Sequence, residues 1–283
     1  MPTTFYNRAT LSYDGQTLAS NTVTGEIADS LAVTKTALTP TYTVGSDMGY
    51  AVSIVNNGTT DINNITLTDD LGAYPFGTPE QTLTPLTYTD GSVKFFIDGE
   101  LQPAPTVTAG PPLTVTGISV PAGGNAMIVY ETVPNEYAVP DGGTINNTVT
   151  ASGPEITTPA EAAATVISAE GPVLSIIKSL NPTVVSENGQ LTYTFTIENT
   201  GNTATTGDVI INDTLTPVLS DISVTLDGRP LAANDLTYDT TTGEFSTGSG
   251  VITVPAATYE QDPATGVWVV TPGVTTVTVT GTV

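Results

Sequence analysis

Each half of this sequence places a lysine, an aspartate and an asparagine where strand periodicity turns side chains toward an apolar layer. Residues of equal parity on a strand share a face. Leu31, Val33 and Lys35 share one, and so do Leu174, Ile176 and Lys178. Ile65, Leu67, Asp69 and Leu71 are matched by Val209, Ile211, Asp213 and Leu215. Ile145, Asn147, Val149 and Ala151 are matched by Phe5, Asn7, Ala9 and Leu11. A buried lysine or aspartate is costly unless it is paired. Two chemistries meet that requirement. One is a buried Lys–Asp ion pair with the asparagine as a hydrogen-bond partner. The other is covalent. Burial favours a neutral lysine amine, which is a nucleophile, and a protonated carboxyl, which polarises the carboxamide and moves protons. The product is a Lys–Asn isopeptide bond, with ammonia lost. Asp69 and Asp213 are then the catalytic carboxylates, Lys35 is cross-linked to Asn147, and Lys178 to Asn7. Lys94, in SVKFFIDG, has no such neighbours and reads as a solvated strand residue.

Composition narrows the other options. The 283-residue chain has no cysteine and no histidine. Disulfides, thiolate metal sites, Ser–His and Cys–His nucleophiles and most zinc sites are therefore excluded. A carboxylate enzyme would need a cleft of paired acids, and no local constellation suggests one. The expectation is no cofactor, no metal and no enzymatic activity beyond self-modification. The net charge of −23 makes nucleic acid and anionic membranes poor partners. Acidity alone leaves calcium open, although no loop has the spaced ligands of an EF-hand. No run reaches transmembrane length, and MPTTFYNRAT has no apolar core of a signal peptide.

The elements that must position these residues are strands. Thr, Val, Asn, Gly and Pro suit pleated surfaces and turns, and no capped helical stripe is present. The chain also repeats itself. LAVTKT (31–36) matches LSIIKS (174–179) at an offset of 143, and the same offset lays MGYAVSIVNNG on LTYTFTIENTG. ITLTDDL (65–71) meets VIINDTL (209–215), and IDG (97–99) meets LDG (226–228). The fold class is all-β, with two tandem immunoglobulin-like sandwiches.

The repeats differ at their ends. Repeat one continues through 145–167, two strands with a connecting turn, whereas repeat two reaches TTVTVTGTV, where Val283 corresponds roughly to Val133. Residues 5–27 slide by 140 onto 145–167 without a gap. The expected layout is a donor hairpin at 1–28, a complete domain at 29–168, a linker at 169–173 and an incomplete acceptor domain at 174–283. Phe5, Ala9, Leu11, Val23 and Ile27 would be the donor's packing residues. The connection at 28–30 is short and the second repeat starts at the far end of the first, so head-to-tail assembly is favoured. Closure within one chain or into a ring is the alternative. A monomeric adhesin or carbohydrate-binding module is the rival function, although Trp268 stands alone in GVWVV and reads as a packed strand residue.

The order Lys, YTFTIENTG, INDTL, NNTVT resembles the immunoglobulin-like bacterial surface repeat called domain of unknown function eleven, loosely K…YTxxxxNTG…V/IxxxDxL…NTAxV. The likeness runs from Leu31 to Val283, and SIVNNG departs slightly from the NTG form. The chain also resembles two-repeat surface and spore-appendage proteins of clostridial, Gram-positive bacteria. That resemblance implies an extracellular fibre subunit on a cell or spore surface, whose main partner is itself. It also makes Lys35/Asp69/Asn147 and Lys178/Asp213/Asn7 candidate isopeptide triads.

Overall fold

A computed structural model describes residues 3–27 and 31–283. Every element longer than one turn is a strand, and two compact units form. Unit one takes in the described residues up to Ala138 together with Thr144–Ile167; unit two takes in Val139–Gly143 and Ser168–Val283.

The N-terminal segment folds as four short strands, β1 (Thr3–Asn7), β2 (Thr10–Tyr13), β3 (Gln16–Ala19) and β4 (Val23–Ile27). β1 pairs with β4 and β2 with β3. The tip is the two-residue turn Asp14–Gly15, with φ of 50° and 74°, the left-handed pair that a tight hairpin requires. Asn7 stands opposite Val23 but Thr10 stands opposite Ala19, so residues 20–22 carry one more residue than 8–9. This bulge is held by Ser20, whose N–H donates to the Ala9 carbonyl and whose Oγ accepts from the Ala9 N–H. All side chains described between Thr4 and Thr24 are exposed.

Unit one continues with β5 (Leu31–Ala37), β6 (Thr41–Tyr42), β7 (Met48–Asn56) and β8 (Ile62–Asp69). Three short strands follow, β9 (Tyr74–Phe76), β10 (Gln81–Leu83) and β11 (Leu86–Tyr88). Then come β12 (Lys94–Ile97), β13 (Glu100–Gln102), β14 (Thr106–Thr108) and β15 (Leu113–Val120). The unit closes with β16 (Asn125–Pro134), β17 (Thr144–Ser152) and β18 (Ala160–Ser168). One sheet runs β13-β12-β16-β7-β5 and the other β14-β15-β8-β17-β18-β6. β7 alternates buried and half-buried over its whole length, as a half-buried strand should. Tyr50, Val52, Ile54, Ile65, Ile118, Ile128, Ile145 and Val166 fill the space between the sheets.

Unit two has β19 (Leu174–Asn181), β20 (Gln190–Asn199), β21 (Asn212–Thr214), β22 (Ser220–Leu226) and β23 (Arg229–Pro230). It ends with β24 (Leu236–Tyr238), β25 (Glu244–Thr247), β26 (Thr258–Gln261), β27 (Trp268–Thr271) and β28 (Gly273–Thr282). Its main sheet, β19-β20-β28-β22-β23, repeats β5-β7-β16-β12-β13 strand for strand. Both copies use an Asp–Gly turn at the same hairpin, Asp98–Gly99 and Asp227–Gly228, each pair with positive φ. The register puts Val279 opposite Tyr193 as Tyr130 is opposite Tyr50, so Val283 corresponds to Pro134, one residue past the sequence estimate. Repeat two also inserts the β26–β27 hairpin between the positions of β15 and β16.

The opposite layers differ. In unit one, β8 lies between β15 and β17, with Leu113 and Val149 flanking Asp69. In unit two, β21 pairs with β25 in the same way, Asp213 opposite Phe245, but among the described residues its other edge has no partner strand. The consequence reaches β19. Leu174, Ile176 and Lys178 were expected to face a core, as Leu31, Val33 and Lys35 do. All of β19 is exposed, with Ile176 at 57%, because no counterpart of β17 packs against it.

Within residues 169–173, expected to be a linker, Gly171 and Val173 donate their N–H groups to the side-chain oxygens of Asn202 and Asn199, which ties the segment to unit two. In the N-terminal hairpin the bulge separates the β1–β4 pairing from the β2–β3 pairing. The connection at 28–30 and the Ile27 side chain lie outside the described residues.

Candidate functional site

In unit one the three polar residues converge between the sheets. Lys35 arrives on the edge strand β5, opposite Val52. Asp69 ends β8, and Asn147 sits on β17 one same-face step from Val149, the residue opposite Asp69. All three are buried: Lys35 is 7%, Asp69 3% and Asn147 0% exposed. Lys35 Nζ donates to Asp69 Oδ2 at 2.7 Å. The same oxygen accepts the Tyr130 hydroxyl, and Asp69 Oδ1 accepts the Leu71 N–H at 2.9 Å. Leu71 adopts a φ of 55°, an uncommon left-handed position for a leucine, and that hydrogen bond anchors it.

Aromatic rings roof the pair. Tyr50 and Tyr130 face each other across β7 and β16 with centroids 5.8 Å apart, and Lys35 Nζ lies 4.9 Å from the Tyr50 centroid. Burial holds the Lys35 ammonium below the usual lysine range, against the opposing pull of the Asp69 carboxylate. Burial also pushes both tyrosine hydroxyls well above their usual range, and the Asp69 charge adds to this. The Asn147 carboxamide lies beside both hydroxyls, yet neither its oxygen nor its nitrogen makes a hydrogen bond of acceptable geometry. A buried amide left without partners costs about 1–3 kcal/mol. A dehydrated amine, a carboxylate and an unbonded amide therefore share one enclosed space.

Unit two rebuilds part of this. Lys178 donates to Asp213 Oδ2 and lies 4.5 Å from the Tyr193 ring centroid, the counterpart of Tyr50. The Lys178 side chain is 40% exposed and that of Asp213 19%, against 0% and 4% in unit one. Tyr130 is replaced by Val279, and Val52 by Phe195, whose ring lies 5.5 Å from Lys178 Nζ. Tyr193 donates its hydroxyl to the Thr216 carbonyl instead of facing an amide. Among the described residues, the contacts of Lys178 are Asp213, Tyr193 and Phe195, with no asparagine in the role of Asn147. Asn7, assigned that role from sequence, is exposed on β1.

On β1 and β4, cross-strand partners place Phe5, Asn7, Val23 and Gly25 on one face, as Ile145, Asn147, Ala164 and Val166 share one on β17 and β18. Phe5 is 50%, Leu11 63% and Val23 55% exposed, and Ala9 is exposed too. A Cβ on Gly25 would lie 2.4 Å from Phe5 Cζ, so the ring rests directly on the glycine.

Sequence reasoning missed two sets of residues. Tyr130 was one, and only its period-two place in NAMIVYETV could have pointed inward. The other is Asn56 and Asn199, both buried, which anchor the turn after β7 and β20. The Asn56 Oδ1 accepts the Gly58 N–H and its Nδ2 donates to the Thr60 and Val120 carbonyls; Asn199 does the same with Gly201, Thr203 and Pro255. The N-x-G repeat was the available signal. Among the described residues no group of three or more His, Cys, Asp or Glu side chains is placed to hold a metal. No described helix is long and apolar enough to cross a membrane. Trp268 is half-buried in β27 and its indole nitrogen is shielded.

No protein-family model matches the chain, and no curated protein does either. Solved structures with a similar fold include the RrgB pilus backbone of Streptococcus pneumoniae, 14% identical at a TM-score of 0.36 over 86% of this chain. The chain spans 56% of that protein's length. A 35 kDa C-terminal fragment of the major pilin GBS80 of Streptococcus agalactiae is 13% identical at a TM-score of 0.36, covering 80% of this chain and 79% of the fragment. The bacterial hydrophobin BslA is 14% identical at a TM-score of 0.30, covering 51% of this chain and 97% of that one. At such TM-scores these likenesses say nothing about what the chain does.

Proposed function

We propose that this chain is a structural subunit of an extracellular filament, on a cell or spore surface, that grows by donating residues 1–28 of one copy to repeat two of the next. One observation carries the reading. The free edge of β21 and the bare face of β19 lie where β17 and β18 sit in repeat one, and an exposed hairpin with the same face pattern stands elsewhere in the chain. Strand addition to an open edge supplies backbone hydrogen bonds. Burying what is exposed of Phe5, Leu11 and Val23 contributes at most about 1.5–3 kcal/mol each, with Ala9 adding less. The docked hairpin sets Ala9 beside Asp213 and Asn7 toward Lys178, following the Val149–Asp69 register.

Within this reading both triads close as Lys–Asn isopeptides, Lys35–Asn147 inside the subunit and Lys178–Asn7 between subunits. The neutral pair written from Lys–NH3+ and Asp–COO− is Lys–NH2 and Asp–COOH, which burial favours. The amine attacks the asparagine carbonyl carbon, the C–N bond to the amide nitrogen breaks, ammonia leaves, and the aspartate keeps the remaining proton. The domain-of-unknown-function-eleven resemblance is consistent with a surface role and belongs to the same proposal.

Negative-stain electron microscopy of the full-length protein beside a 29–283 truncation tests assembly. Filaments in the full-length sample alone, restored to growth-competent mixtures only by intact copies, support the donor assignment. Monodisperse particles in both samples overturn it and favour a monomeric adhesin or carbohydrate-binding module, or closure of the hairpin on its own chain.

A further inference from the structure

The two triads differ in one residue that touches the carboxylate. Tyr130 donates to Asp69 Oδ2, the same oxygen that accepts from Lys35, and its hydroxyl lies beside the unbonded Asn147 carboxamide. It is 2% exposed, so bulk water does not reach this triangle. Val279 holds its place in repeat two, and Tyr193 donates its hydroxyl to a backbone carbonyl there. Tyr50 also lies beside Asn147, but it makes no hydrogen bond to the carboxylate.

We propose that Tyr130 is a proton relay, carrying the proton that Asp69 takes from Lys35 to the nitrogen that leaves Asn147. This rests on the isopeptide reading above. Lys35 gives one proton to Asp69 and attacks the Asn147 carbonyl carbon as a neutral amine. The attacking nitrogen must then lose a second proton, and the departing –NH2 must gain one. Asp69 alone meets the first need. The second has to occur on the amide side of the site, where the Tyr130 hydroxyl stands. In one concerted step the phenol gives its proton to the departing nitrogen and takes one from the Asp69 carboxyl. Tyr130 ends as it began. The new amide keeps one hydrogen, ammonia carries three, and Asp69 holds the fifth, which balances the three of the ammonium and the two of the carboxamide. A relay suits a phenol whose free ionisation is suppressed by burial, because it never has to exist as phenolate. Repeat two has no such hydroxyl on its own strands among the described residues, so Asp213 has to serve both ends of the transfer or use water.

The test follows ammonia loss by intact-mass spectrometry during a chase after in vitro translation of the full chain, with Lys35–Asn147 linkage read from branched peptides. Wild type, Tyr130→Phe and Tyr50→Phe are compared between pH 5 and 9. Tyr130→Phe removes one oxygen from a packed ring and keeps the stack on Tyr50. The expected result is a rate roughly tenfold or more below wild type for Tyr130→Phe, with a changed pH profile, and a smaller slowing with the wild-type pH profile for Tyr50→Phe. A wild-type rate and profile in Tyr130→Phe overturns the relay, and so does equal slowing in Tyr50→Phe. Absence of the linkage in wild type would overturn the isopeptide reading itself, a separable outcome.

Discussion

Lys35 and Lys178 occupy the same position in their repeats, opposite Val52 and Phe195 on the neighbouring strand, yet one side chain is wholly shielded and the other 40% exposed. The difference is the second layer. β17 packs against β5, the strand of the first lysine, and no described strand takes that place over the second.

Covalent linkage in repeat one should therefore be independent of assembly. Tandem mass spectrometry of the 29–283 truncation is expected to give branched peptides joining Lys35 to Asn147. Recovery of both as unmodified linear peptides would refute that bond.

Linkage at Lys178 should depend on a second copy. Asn7→Ala is expected to abolish boiling-resistant ladders on denaturing gels while filaments still grow, because strand pairing does not use the Asn7 side chain. A persisting ladder would assign the bond to another residue.

Asp69→Ala should be costly in both readings of the triad. It leaves a buried ammonium without its carboxylate, a change worth about 3–5 kcal/mol. Chemical denaturation of the variant should show that loss, with no Lys35–Asn147 peptide. A loss within error of zero would mean that the pair contributes nothing.

The uncross-linked unit has a defined pH signature, readable in Asn147→Ala. The folded Lys35 pKa is below its unfolded value, so between the two the unfolded chain binds more protons and stability rises with pH. Tyr42, pushed up to about 12 by burial, and the still higher Tyr50 and Tyr130 act oppositely. Above about 10 the unfolded tyrosines ionise first and stability falls. Denaturation midpoints measured from pH 7 to 12 should pass through an alkaline maximum, and a monotonic fall from pH 7 would contradict the Lys35 shift.

The donor face should be sensitive at Gly25. A larger residue displaces the Phe5 ring that rests on it. Gly25→Val is expected to slow filament growth more than Thr24→Val, whose side chain points to the other face. Equal growth rates in turbidity or light scattering would show that Phe5 does not pack in the docked state.

The sequence alone determined the strand class, the duplication, the faces of Lys35, Asp69 and Asn147, and the likeness of residues 5–27 to 145–167. All of these follow from period-two alternation and internal repetition, which are local and survive without knowing the partner strands. Only the tertiary structure decided which faces are covered. Leu174 and Ile176 have the same parity as Leu31 and Val33, but burial depends on a strand more than a hundred residues away in the repeat that has it. Tyr130 reaches Asp69 from the opposite sheet, and the Ser20 bulge shifts the hairpin register by one residue. Period-two spacing marks the face of Tyr130 but not its partner, which the stacking of two sheets sets, and the bulge, a local irregularity in strand pairing, leaves no mark in spacing.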